Sequence, residues 1–224
     1  MGKKFKIKAI VFDFDGTLAN TNRLHYDAFR KVLGKRSVDL TEEEMAPLFG
    51  VGALKIMKLL KKKYHLKDSA ETLLSEKTQA YERIIKTARL RTGAIENLKY
   101  LKKKGFKLAV WTGALKKQSK KVLGKQNLDL LSAFIDSTDL DRGKPYPDGL
   151  KLIAKKFKVG LENIALIGDS EKDITAARRA GSLPVGIPAD LTSELLLKSN
   201  PPLIISELKD LRLLFRECPQ ALET

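Results

Sequence analysis

Asp13 and Asp15 flank one phenylalanine and run into Gly16 and Thr17, giving Asp-Phe-Asp-Gly-Thr. Side chains two apart on an extended chain point the same way, so both carboxylates face one side. Carboxylates held that close repel unless a cation or a proton intervenes. Further on, Thr112-Gly113 offers a hydroxyl and a pliant backbone that can present N–H groups. Lys144 supplies one cation, in a loop stiffened by Pro145 and Pro147, and Asp169 and Asp173 add two carboxylates four residues apart. Together these are oxygen ligands for a hard divalent cation and donors for an anion. Carboxylates and waters suit magnesium, which often also holds a substrate phosphate oxygen. Singly they are weak signals, since Asp169 or Asp173 alone could simply cap a helix.

The elements around these residues decide whether they meet. Residues 7–14 (IKAIVFDF) are apolar, β-rich and bounded by Gly16, which predicts a buried strand. From 22 to 89 no strand pattern occurs, and helical patterns cover 23–33, 42–49, 54–64 and 69–88, punctuated by Gly34, Pro47 and Gly52. Thr41 followed by Glu44 forms a capping box. After Gly93, helices at 94–104, 116–125, 148–157, 172–180 and 207–216 alternate with strands at 107–112, 134–137, 164–167, 184–187 and 203–205. Such alternation predicts an α/β fold: a Rossmann-like, doubly wound parallel sheet with right-handed crossovers. The all-helical stretch is then an insertion, residues 19–90, in a core made of 1–18 and 91–224. In open parallel sheets the ligand site lies beyond the carboxyl ends of the strands. Asp13, Thr112 and Asp169 all sit at such ends.

With 224 residues, the chain is long enough to bury a core without disulfides. Its one cysteine, Cys218, excludes an internal disulfide and a cysteine zinc site, and fits a reducing cytoplasm. Uncharged stretches run no longer than ten residues, as at 45–54, so no membrane span is expected. The net charge of +16 is spread evenly, with +6 in residues 17–90 and +10 in the other 150. Lysine outnumbers arginine 32 to 11, whereas phosphate and base recognition favours the arginine fork. No dedicated nucleic-acid binding is expected, although a positive field steers a small anionic substrate inward.

The motif set resembles the haloacid dehalogenase superfamily of phosphohydrolases over nearly the whole length. Asp13-Phe-Asp-Gly-Thr-Leu is similar to its first motif, Thr112 to the second, Lys144 to the third, and Gly-Asp169-Ser-x-x-Asp173 to the fourth. The insertion resembles the helical cap that some members carry, and the stretches 143–148 and 168–181 are similar to phosphoglycolate phosphatase-like and β-phosphoglucomutase-like members. The resemblance implies Asp13 as nucleophile, forming an aspartyl-phosphate, and Asp15 as general acid and base. It implies that Thr112, the Gly113 amide and Lys144 bind the phosphoryl oxygens. Magnesium would be held by Asp13, Asp169 and the Asp15 carbonyl, with Asp173 behind them. His25 stands where mutase-like members place a histidine that supports the acid/base Asp, and would lie on the substrate side; as a residue of an amphipathic helix it has an equally simple structural explanation. Ala53 stands where mutase-like members have a phosphate-binding arginine, leaving Lys55 as the nearby cation, and Asn20 replaces an aspartate of many relatives. Trp111 reads as core.

The expected activity is therefore magnesium-dependent hydrolysis of a small phosphate monoester by a cytoplasmic monomer or homodimer. A β-phosphoglucomutase-like phosphomutase is the alternative, disfavoured by Ala53 and by the presence of Asp173. A metal-free dehalogenase is disfavoured by the second aspartate, and a non-enzymatic basic binding protein by the retention of both Asp13 and Asp15.

Overall fold

The computed structural model describes residues 6–216; Cys218 lies outside them. Six strands form one parallel sheet: β1 (Ala9–Phe12), β2 (Lys107–Trp111), β3 (Ala133–Ile135), β4 (Ile164–Gly168), β5 (Leu183–Gly186) and β6 (Leu203–Ile204). Their order is β3-β2-β1-β4-β5-β6, the doubly wound arrangement in which the chain departs from β1 in both directions. Strands buried on both faces read as continuous apolar runs, and β1 does so because its alternate residues feed two different cores. Ile10 and Phe12 join Leu108, Val110 and Ile167 on one face. Ala9 and Val11 join Ala109, Trp111 and Leu166 on the other. Helices α5 (Ala94–Lys103), α6 (Lys116–Leu123), α7 (Asp148–Phe157), α8 (Glu171–Ala180), α9 (Ser193–Lys198) and α10 (Leu211–Leu214) follow in the second part of the chain.

Between β1 and α5 the chain adds no strand to the sheet and forms helices: α1 (Asn22–Gly34), α2 (Glu42–Met45), α3 (Ala53–Lys63) and α4 (Ala70–Ile84). They bury a hydrophobic cluster of their own, including Phe29, Leu33, Met57, Leu60, Leu73 and Tyr81. The entering and leaving strands of chain lie side by side, with Asn20 N donating to Arg89 O at 2.9 Å and Arg91 N to Leu18 O at 2.8 Å. The capping box is present: Thr41 and Glu44 exchange side-chain-to-backbone hydrogen bonds at the start of α2.

Boundaries differ from the sequence expectation where local chemistry intervenes. The helix expected over 42–49 becomes 3-10 at Ala46–Leu48, where Pro47 removes a backbone donor. The one expected over 207–216 is a 3-10 turn, Leu208–Asp210, followed by the short α10. There the Asp210 carboxylate accepts from Ser206 N and Glu207 N, both at 3.0 Å, and holds the chain in a turn. No helix among the described residues is long and apolar enough to cross a membrane.

Candidate active site

Three neighbouring strands, β2, β1 and β4, end at one place and deliver Thr112, Asp13 and Asp169. Gly16, with φ of +80°, turns the chain back after Asp15. These side chains, with Gly113 and Lys144, line a cavity of about 570 Å³ whose other wall comes from the helical insertion, including Ala53, Lys55, Leu74 and Lys77. The insertion approaches closely at Gly113, where an added Cβ would lie 3.1 Å from Val51 O.

At the base of the cavity, Asp13 and Asp169 line it and Asp173 lies buried behind them, each bringing a carboxylate oxygen within 4.8 Å of the others. All three are buried, as is Lys144. Lys144 Nζ lies 2.8 Å from Asp13 Oδ1 and 2.6 Å from Asp173 Oδ1. Burial drives the Lys144 ammonium down, and Asp13 and Asp173 more than reverse this, so it stays charged above the usual lysine range. Burial, reinforced by Asp173, Asp169 and Asp15, drives the Asp13 carboxyl well above its ordinary value against the pull of Lys144. Asp169 is pushed up to about 6 by burial and by Asp173, with Thr192, Asn22 and Lys144 opposing. Among the described residues Lys144 alone lies within ion-pair distance of these three buried carboxylates, so the cluster carries a surplus of negative charge when ionised. Oxygen-only donors with that surplus fit a hard divalent cation such as magnesium.

Asp15 stands in the opposite environment. Its Oδ1 accepts from Thr21 Oγ1 at 2.7 Å and from His25 Nε2 at 3.0 Å. Its Oδ2 accepts from Thr112 Oγ1 at 3.0 Å. Burial alone would raise its pKa, but His25, Thr21 and Thr112 bring it down to about 2. His25 is itself buried, stacked on Tyr81 with ring centroids 4.1 Å apart. Its Nδ1 faces Lys77 Nζ at 2.8 Å. Burial and Lys77 hold the imidazole below its usual pKa, with Asp15 opposing, so the neutral ring accepts from Lys77 and donates Nε2–H to Asp15. Burial lowers Lys77 to about 8.

The structure thus gathers Asp13, Asp15, Thr112, Gly113, Lys144, Asp169 and His25 at one cavity, with Asp173 buried behind it. The Asp15 side chain is outside the acidic cluster, being taken up by three donors. Trp111 is core: its indole fills the space over Gly149, where an added Cβ would lie 2.2 Å from Trp111 Cε2. Sequence reasoning missed Lys77, Thr21, Asn22 and Thr192. Lys77 did leave a signal, as a lone charge in the apolar stripe Ala70, Leu73, Ala80 and Tyr81 of α4.

Residues 7–181 match the family model of haloacid dehalogenase-like hydrolases. The chain is similar to a phosphoglycolate phosphatase of Haemophilus influenzae, 29% identical over 222 residues, covering 94% of this chain and 98% of the relative. It is similar to the pyrophosphatase PpaX of Listeria welshimeri, 24% identical over 227 residues, covering 95% and 98%. The crystal structure of a hydrolase from Pseudomonas syringae shares the fold with a TM-score of 0.83 at 24% identity, covering 93% of this chain and 98% of that one. The matched span runs from β1 to the end of α8 and so includes every carboxylate of the cavity floor: the chain belongs to the haloacid dehalogenase-like hydrolase family.

Proposed function

We propose that this chain is a magnesium-dependent phosphatase that hydrolyses a small phosphate monoester through a phosphorylated Asp13. The observation that carries this is the different company kept by two carboxylates on one strand end. Asp13 lies among Asp169, Asp173 and Lys144, where its oxygen can meet both a cation and a phosphoryl group. Asp15 stands apart from that cluster, held by hydrogen bonds from Thr21, His25 and Thr112, which leaves it for proton transfer.

An Asp13 carboxylate oxygen bonds to phosphorus as the bond to the leaving oxygen breaks, and Asp15 gives that oxygen a proton. The negative charge of an arriving phosphate raises the Asp15 pKa, the direction a leaving-group acid needs. Asp15 then takes a proton from water, whose oxygen displaces Asp13 and releases inorganic phosphate. Thr112, the Gly113 amide and Lys144 supply donors to the phosphoryl oxygens, whose charge dominates the barrier. A magnesium ion held by Asp13, Asp169 and the Asp15 carbonyl, with Asp173 behind, would neutralise charge on those oxygens. Residues 19–90 act as a cap that forms the leaving-group side of the cavity. The single cysteine supports a cytoplasmic location.

The phosphomutase alternative draws on the contact between His25 and Asp15, which ties the acid/base to the helical insertion. Against it, the position that would grip a second phosphate is Ala53, and the insertion lines the cavity with lysines but no arginine. The deciding assay supplies magnesium with phosphoglycolate, pyrophosphate or β-glucose 1-phosphate and follows free phosphate and glucose 6-phosphate. Phosphate release from a monoester, without a bisphosphate activator, is expected. Isomerisation far outrunning phosphate release, or no phosphate from any monoester, overturns the proposal.

A further inference from the structure

The Asp169 carboxylate is gripped by side chains from two distant parts of the chain. Asn22 Nδ2 donates to its Oδ2 at 2.8 Å, and Thr192 Oγ1 donates to the same oxygen at 2.7 Å. Among the described residues the other oxygen, Oδ1, has only Thr17 Oγ1 at 3.4 Å. All four residues are buried. Asn22 opens α1, the first helix of the insertion, and Thr192 immediately precedes α9. Gly16 makes the approach possible, because a Cβ there would lie 2.2 Å from Asp169 Oδ2 and 2.5 Å from Asn22 Nδ2.

A carboxylate oxygen has two lone-pair sites, and two short donors fill those of Oδ2. We propose that Asn22 and Thr192 are positioning residues for cation binding, which lock Asp169 so that Oδ1 is the oxygen left for the ion. This rests on Asp169 being a cation ligand. An unlocked carboxylate would rotate among orientations, and each binding event would have to freeze it. Outer partners of metal ligands typically contribute about 10- to 100-fold in affinity. Because Asn22 belongs to the insertion, the same hydrogen bond pins the start of that segment to the cation site, and by linkage cation binding and this contact strengthen each other.

The test measures Mn²⁺ affinity of substrate-free protein by electron paramagnetic resonance of the unbound ion, together with the Tm with and without magnesium. Thr192→Val removes the hydroxyl at nearly constant volume, and Asn22→Ala removes the other donor from a different element. Each is expected to bind Mn²⁺ about 10- to 100-fold more weakly and to show a smaller magnesium-induced rise in Tm. Thr192→Ser keeps a hydroxyl and should keep wild-type affinity. A merely structural role would lower the cation-free Tm and leave Mn²⁺ affinity unchanged. Wild-type affinity in either Thr192→Val or Asn22→Ala, alongside lost binding in Asp169→Asn, overturns the positioning role. Wild-type affinity in Asp169→Asn overturns the cation site itself.

Discussion

Lys77 Nζ lies 2.8 Å from His25 Nδ1, buried within the helical insertion, and fixes the tautomer that donates to Asp15. A charge placed there by packing alone would be costly. Lys77 instead lies over the rings of Phe29 and Tyr81, at 4.9 Å and 4.8 Å from their centroids, and spends one N–H on the imidazole.

Lys77→Met should therefore lower kcat while KM changes little, because the imidazole loses its orientation and Asp15 with it. Misplacement of an acid/base costs on the order of 10- to 100-fold. Steady-state kinetics at saturating magnesium provide the check, and an unchanged kcat would remove the relay from the mechanism.

The same substitution has a signature in stability. Lys77 is lowered to about 8 in the folded protein from an ordinary 10.5. Between these values the unfolded chain holds a proton that the folded one has released, so stability rises with pH across that window. The destabilisation is fully present below pH 8. Denaturant unfolding of wild type and Lys77→Met should show the wild type gaining on the variant from pH 8 to 10.5, by on the order of 1 kcal/mol per pH unit. Parallel curves would contradict the assignment.

Gly16→Ala should disable the site. A side chain at φ of +80° is strained, and its Cβ would collide with Asp169 Oδ2 at 2.2 Å. A loss of about 1–3 kcal/mol in stability and the loss of turnover are expected together. Gly34→Ala, which meets nothing within 4 Å, serves as the control and should be close to neutral. Turnover surviving in Gly16→Ala would show that the turn tolerates a side chain.

Much of the site was readable because its residues follow strands. Asp13, Thr112 and Asp169 sit at strand ends, where a doubly wound sheet must bring neighbours together, and the apolar runs of β1 and β4 located those ends. Asn22 and Thr192 carried no such signal. A polar residue at a helix start reads equally well as a cap, and only the tertiary fold brings both to Asp169. The Thr112 hydroxyl donates to Asp15, a contact across 97 residues that spacing cannot reveal. Helix ends moved where Pro47 and the Asp210 cap act locally, without altering the topology.

Chelation should silence the enzyme, since among the described residues Lys144 alone lies within ion-pair distance of the three crowded carboxylates. Magnesium should restore activity and calcium should not, because its larger and looser shell disturbs in-line geometry. Phosphate release assayed in EDTA, then after addition of each ion, tests this. Full activity in chelator would remove the divalent ion from the mechanism.

The most direct measurement is acid quenching during turnover of a ³²P-labelled phosphate monoester, followed by peptide mapping. Phosphorylation of Asp13 predicts label on the peptide containing that residue, released by hydroxylamine as an acyl phosphate is. It also predicts no label and a loss of turnover of roughly a thousandfold or more in Asp13→Asn. Label on another residue, or turnover persisting in Asp13→Asn, would contradict Asp13 as the nucleophile.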